Sequence, residues 1–437
     1  MPKTLVAKLE YIKQNRDPAN DNYYVSRDLA DNPKFKHELS YAKNHYPDAG
    51  TRLLALYRYW NMVQYFYPDK HLIGQDWNNV LTDFIPEFCN APDTLAYELA
   101  CLKLIAQIHD THANIWEGGA EIEKMKGKFS TPFEAKFIGD KLVVTDYYNT
   151  DNDLPEKIKK GDIIEKIDGV AVDELVQKYL PLTPASNYET QLRDLPNLFG
   201  FLLRSNKPEA QLSINREGHI IQITIPQMNL ADYHFKKDEK PGFKMLKDNI
   251  GYIFPSRLQE NDLDTIKTLF NSTKGLIIDM RCYPSVFMTF SYGAWLKLQP
   301  SAFVTFTRGD AGYPGYFKLA NGPFNGSTNP DYYKGKIVII VDASTQSSAE
   351  YQTMALSTAP DVTVIGSTTA GADGNVSEIK LPGGIKTLFS GIGILYPDGT
   401  ETQRKGVKID KVVKPTVQGI RDGKDELLDE AIKIIKG

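Results

Sequence analysis

Four short apolar runs in the C-terminal half constrain the fold of this chain more than any other feature: "NIGYIFP" (249–255), "GLIIDM" (275–280), "KIVIIVD" (336–342) and "VTVIG" (362–366). Each is strand-sized and lacks the polar alternation of a strand with one wet face. Helical stretches such as "ENDLDTIKTLFN" and "SAEYQTMALSTA" separate them. Strands apolar on both faces, alternating with helices, predict a sheet covered on both sides, hence an α/β domain over 245–437.

At 437 residues the chain exceeds one ordinary core, so two or three domains are expected. A hydrophobic content of 41%, with 11% aromatics, can fill those cores and argues against disorder. The net charge of −4 supplies no long-range pull toward nucleic acid or anionic membrane. Cys89, Cys101 and Cys282 cannot all pair, and their spacing fits neither a zinc site nor a redox pair; they read as buried apolar residues. No run approaches the ~18 apolar residues of a membrane span. "MPKTLVAKLEYIKQ" lacks the apolar core of a signal peptide, although such a start is equally compatible with a removed export signal.

Residues 1–130 read as helical. In "TRLLALYRYWNMVQYFYP", Leu53, Leu56, Tyr57, Trp60, Val63 and Tyr67 form an aromatic-rich stripe that Pro68 ends. A second stripe, Leu95, Leu99, Leu102 and Ala106, runs toward "HDTH" and predicts that this helix delivers the tetrapeptide to a turn. From 131 to 229 the texture becomes short alternating strands ("FEAKFI", "KLVVTDYY", "AQLSINREG", "HIIQITIP") with Asp-Gly and Glu-Gly turns. Within it, "LPEKIKKGDIIEKIDGVAV" resembles a PDZ domain, which binds an extended peptide along a sheet edge; a ligand-free β-barrel insert is the bland alternative. "YHFKKDEKPGFK" (233–244) reads as a linker. No repeats or low-complexity segments occur.

The chemistry centres on "STQSSAEYQTMAL" (344–356), directly after an apolar strand and opening a helix. Ser347 and Ser348 there meet unpaired N–H groups and the positive end of the helix dipole, a suitable setting for acyl transfer. Glu350, three residues after Ser347, equally fits a capping box, in which Ser347 only ends the helix. Spacing alone leaves both readings open.

"STQSSAE" followed by a helix and "VIGSTTAGADG" resembles the active-site region of the C-terminal processing (tail-specific) serine peptidases and their tricorn-core and interphotoreceptor retinoid-binding protein relatives. "GYIFP", "GLIIDMRCYPS" and "QRKGVKID" follow the same order as motifs of that family, as do the helical start and the inserted β-rich module. The resemblance implies a crotonase/ClpP-like α/β protease domain with an inserted PDZ domain and an N-terminal helical region. It implies Ser347 as nucleophile. The tail-specific base, a lysine, falls on Ala372, so the Ser-Lys dyad is absent. The tricorn-like branch instead takes a Ser-His pair from its N-terminal part, which matches "DTHAN" with Thr111 in place of the serine and His112 as the histidine. Imidazole suits that task, because it titrates near neutrality and can take and return a proton.

The family's late Glu falls on Gln403, which can hydrogen-bond but carries no charge; Glu401, two residues away, would face the same side if the segment were a strand. The oxyanion hole is expected from the backbone N–H of Ser348 and of Ser285, the latter where the family has Gly. The implied function is a serine endopeptidase acting on a peptide or unfolded protein through an acyl-enzyme. The alternative, an inactive peptide-binding pseudo-peptidase, is motivated by Ala372, Gln403 and Ser285. His109 and His112 lack the company of a metal motif, and no metal or organic cofactor is implied. An α/β-hydrolase esterase is disfavoured because no G-x-S-x-G occurs. Since such peptidases commonly work outside the cytoplasm, the resemblance implies a periplasmic or otherwise extracytoplasmic setting.

Overall fold

The computed structural model describes residues 2–15, 23–148, 154–233, 241–310 and 313–437. The four apolar runs form adjacent strands of one sheet, Ile250–Ile253, Gly275–Asp279, Lys336–Val341 and Val362–Gly366, all parallel. Phe243–Leu246 adds an antiparallel edge and Lys411–Val412 a parallel one. The strand-sized period of two sends Leu276, Ile278, Ile337, Ile339, Val341 and Val364 to one face. Ile277, Val338, Ile340 and Ile365 go to the other, against Leu427 and Ala431 of the helix Glu426–Lys436. Helices Asp262–Phe270, Thr289–Leu296 and Ser348–Leu356 cover the first face. Each fully buried Ile or Val here contributes about 2 kcal/mol from burial.

Phe129–Ser130 pairs with Met228–Asn229, so the chain enters and leaves the intervening module side by side. Within it, strands Phe133–Ile138, Lys141–Tyr147, Ile163–Ile167, Glu209–Arg216 and His219–Pro226 make an antiparallel sheet closed over its own core by the helix Val172–Tyr179. Of the expected linker, 234–240 lies outside the described residues, and Phe243 and Lys244 belong to the edge strand.

The N-terminal region departs from expectation in two ways. The helix Ala49–Phe66 buries Ala55, Leu56, Tyr59, Met62 and Val63, while Tyr57 is 41% exposed. Its apolar and aromatic residues run almost all round, so periodicity does not fix the face, and a tyrosine can sit with its hydroxyl in water. The region is also not a separate core. Helices Ala49–Phe66, Trp77–Asn90 and Thr94–Ala106 share one with Ile379, Leu381, Ile385 and Phe389 of the hairpin Val376–Leu381/Ile385–Ser390. A boundary at residue 130 therefore separates the module from the helices but does not separate the helices from the C-terminal part. Among the described residues no helix is long and apolar enough to cross a membrane.

Candidate active site

The strand Lys336–Val341 ends in a pinned turn: Thr345 Oγ1 donates to Met280 O at 2.8 Å, and Ala370 N donates to Thr345 O at 3.0 Å. Ser347 then adopts φ 55° and ψ −118°, an unfavourable backbone for a residue with a Cβ. An ordinary N-cap is extended and bonds the helix through its side chain. Here Ser347 and Glu350 form a capping box, in which Glu350 accepts from Ser347 N at 3.1 Å.

Glu350 is fully buried and also accepts from Thr369 Oγ1 (2.5 Å), Gly371 N (2.8 Å) and Ala372 N (3.1 Å). Burial raises its pKa, and those donors oppose the rise. Ala372, at the position of the family's lysine, returns its carbonyl to Ser347 N at 3.0 Å. Gly371 is required in this loop: it has φ +63°, and a Cβ there would lie 2.9 Å from the Arg404 backbone.

The second arm comes from the turn after the helix Thr94–Ala106. His112 Nδ1 lies 2.9 Å from Ser390 Oγ and 3.6 Å from Asp110 Oδ1. Asp110 has no exposed surface and also accepts from His112 N (3.0 Å), Ser390 N (2.6 Å) and Ser390 Oγ (3.1 Å). Trp116 Nε1 donates to His112 O at 2.9 Å and fixes the backbone. Nδ1 is therefore committed to the Ser390–Asp110 side, and Nε2 is the nitrogen left over. Burial lowers the His112 pKa, with Asp110 acting against it, so the ring is neutral at pH 7.

Ser347 and His112 line one cavity of about 740 Å³, together with Ser348, Asp373, Tyr283 and Tyr351. Among the described residues the Ser348 N–H has no acceptor and opens this helix, as an oxyanion donor requires.

Other expected site residues lie elsewhere. Ser285 donates its N–H to Pro255 O (3.1 Å) and its hydroxyl to Pro255 O (2.9 Å) and Leu258 O (2.7 Å), so the turn at 255–258 consumes the donor an oxyanion would need. Thr111 exchanges hydrogen bonds with Ser186 (Oγ1 to Oγ 3.0 Å, Ser186 N to Oγ1 2.9 Å). Gln403 is buried one layer behind, donating to Tyr67 Oη (3.2 Å) and Ser186 Oγ (3.5 Å); it reaches Thr111's partner and not His112. Glu401 pairs with His71 at the surface. Residues 403–405 form a turn, so the two-residue period that would align Glu401 with Gln403 does not apply. Sequence reasoning missed Asp110 and Ser390. Asp110 sits inside the quoted "HDTH"; Ser390 ends the unforeseen hairpin.

Residues 249–413 match peptidase family S41. No curated protein matches the chain in sequence. Among solved structures, mature CPAF superposes with a TM-score of 0.66 at 14% identity, over 89% of this chain and 97% of that one. Mature CPAF complexed with lactacystin gives 0.65 at 14% identity, over 89% and 98%. A protein from Parabacteroides merdae gives 0.56 at 16% identity, over 90% and 98%. At such identities the likeness is one of fold, and it takes in the helical region and the inserted module as well as the sheet. The family match covers the sheet and turn that carry Ser347, so residues 249–413 of this chain are similar to the serine peptidases of family S41.

Proposed function

We propose that this chain is an endopeptidase working through a Ser347–His112–Asp110 relay, with Ser390 bridging the last two. The observation that carries the reading is the single cavity lined by Ser347 and by a neutral His112 whose Nδ1 is linked through the Ser390 hydroxyl to the buried Asp110 carboxylate. Ser347 Oγ attacks the scissile carbonyl carbon as His112 Nε2 takes its proton, and the carbonyl oxygen becomes an oxyanion facing Ser348 N–H. The C–N bond then breaks, His112 returns the proton to the leaving amine, and water hydrolyses the acyl-enzyme by the same relay. Asp110 holds the imidazole tautomer and balances the transient imidazolium charge. Gln403 and Thr111 support the turn from behind, and Ala372 removes no base because the base comes from the other arm. That dissolves the motive for a pseudo-peptidase.

The inserted module reads as a PDZ-like domain that captures a peptide end. Supporting this, a second cavity of about 630 Å³ lies between the module and the helices, lined by Leu182, Arg193, Phe199 and Phe201 among others. Trp116 and Gln346 line both cavities, which offers an extended chain a route from module to serine. A fluorophosphonate probe is expected to label Ser347, and Ser347→Ala to lose both labelling and cleavage of unfolded casein. Equal labelling of the two proteins discards the assignment.

A further inference from the structure

Resting on the catalytic reading above, we infer that Asp373 is a specificity-determining residue: its carboxyl receives a hydrogen bond from the tip of an aromatic substrate side chain, so the cavity beside Ser347 prefers tyrosine to phenylalanine.

Asp373 lines the catalytic cavity, one residue beyond Ala372, whose carbonyl binds Ser347 N. The residue is 4% exposed. Its Oδ1 accepts from Gly374 N at 2.7 Å, whereas Oδ2 is buried without any hydrogen-bond partner. A buried polar atom left unpaired costs stability, so its persistence in a binding cavity points to a partner supplied by the ligand. Burial, and the nearby Glu350 carboxylate, push the Asp373 pKa well up.

The walls define the rest of the guest. Tyr283, Phe287, Phe306, Tyr351 and Ile394 make the cavity apolar and largely aromatic. Such walls take the body of a large flat side chain, with rings packing edge-to-face or offset. Arg308 lines the same cavity and disfavours a second cation such as a lysine. The guest that satisfies walls and orphan acceptor together is an aromatic ring bearing a neutral donor. A site built around such a donor discriminates against the analogue that lacks it, because the protein's own group is then left unpaired.

The test uses the full chain and three peptidyl diphenyl phosphonates identical except at the residue next to the phosphorus: tyrosine, phenylalanine or lysine analogues. The expected result is about tenfold faster inactivation by the tyrosine than by the phenylalanine reagent, with lysine slowest. In Asp373→Leu the ratio of the tyrosine to the phenylalanine rate falls to about one, whatever the change in the two absolute rates; Asp373→Asn, which retains an acceptor for Gly374 N–H, covers the case in which the leucine variant fails to fold. Equal rates for tyrosine and phenylalanine, a preference that survives in both variants, or a lysine reagent that reacts fastest overturns the inference. Fluorophosphonate labelling separates this failure from failure of the catalytic reading, since that probe carries no side chain. Should Ser347 not label at all, calorimetric binding of the matching tyrosine and phenylalanine tripeptide amides to Ser347→Ala still decides the role of Asp373.

Discussion

The serine arm and the histidine arm meet in one cavity but are held there by different means. Ser347 is positioned by backbone: a strand of the doubly covered sheet, a turn with a positive φ, and a buried Glu350 that gathers four donors from its own loop and the next. His112 is positioned by side chains from distant segments, with Asp110 and Ser390 meeting across 280 positions of sequence. An arm built into a sheet is rigid wherever the sheet is rigid. An arm built from long-range hydrogen bonds is only as fixed as the packing between the helices and the hairpin 376–390.

Substitutions on the two arms should therefore fail differently. Asp110→Asn carries the largest expected effect: kcat/KM falls about 10³-fold, because the amide neither balances the imidazolium nor holds the required tautomer. A loss of thermal stability with no loss of rate would make Asp110 purely structural. Glu350→Ala acts on the other arm and is read in stability. It strands the N–H groups of Gly371 and Ala372 and the Thr369 hydroxyl, and urea denaturation should report a loss of about 3 kcal/mol. If rate falls while stability holds, the serine arm is less rigid than its hydrogen bonds imply.

The same contrast governs what could be read in the sequence. The central sheet was legible because four runs are apolar on both faces, and the turn after "KIVIIVD" followed from the strand-to-helix change. Ser347 and His112 came from those patterns together with family resemblance. The face of the helix Ala49–Phe66 was not legible, since its aromatic residues surround it. The hairpin that carries Ser390 went unseen, although a signal existed: "VSEIKL" and "IKTLFS" alternate, and "PGG" lies between them. Ser377, Ile379 and Leu381 are buried, as are Ile385, Thr387 and Phe389, which is the alternation a hairpin with one packed face requires. Asp110 and Ser390 were beyond reach for another reason. Their role depends on a long-range contact, and no local pattern encodes it. Ser285 misled because a side chain where a glycine was expected brought a donor of its own, which anchors the residue to the turn at 255–258.

Ser390→Ala tests how much of the histidine arm resides in the bridge. Asp110 lies 3.6 Å from Nδ1, longer than a direct hydrogen bond, so the serine hydroxyl at 2.9 Å is the near partner. Removing it should lower kcat/KM about tenfold with KM little changed, the scale of one hydrogen bond to a group that becomes charged in the transition state. A loss as large as that of Asp110→Asn would mean that the two residues act as one unit.

The smallest effect is the most diagnostic of the electrostatics. In the proposed mechanism His112 must be unprotonated to accept the Ser347 proton, so rate is lost as pH falls through its pKa. Burial is the larger influence on that pKa and lowers it from the ordinary 6.5, while the Asp110 charge raises it in part. The acid limb of kcat/KM should therefore lie below pH 6.5, and the peptidase should keep its activity in mildly acidic solution. Removing the negative charge in Asp110→Asn removes the opposing influence, so the limb of the residual activity, followed by fluorophosphonate labelling rate, should move further down in pH. A limb that does not move would mean that Asp110 is not felt by the ring as a charge, and the histidine arm would then owe its place to packing alone.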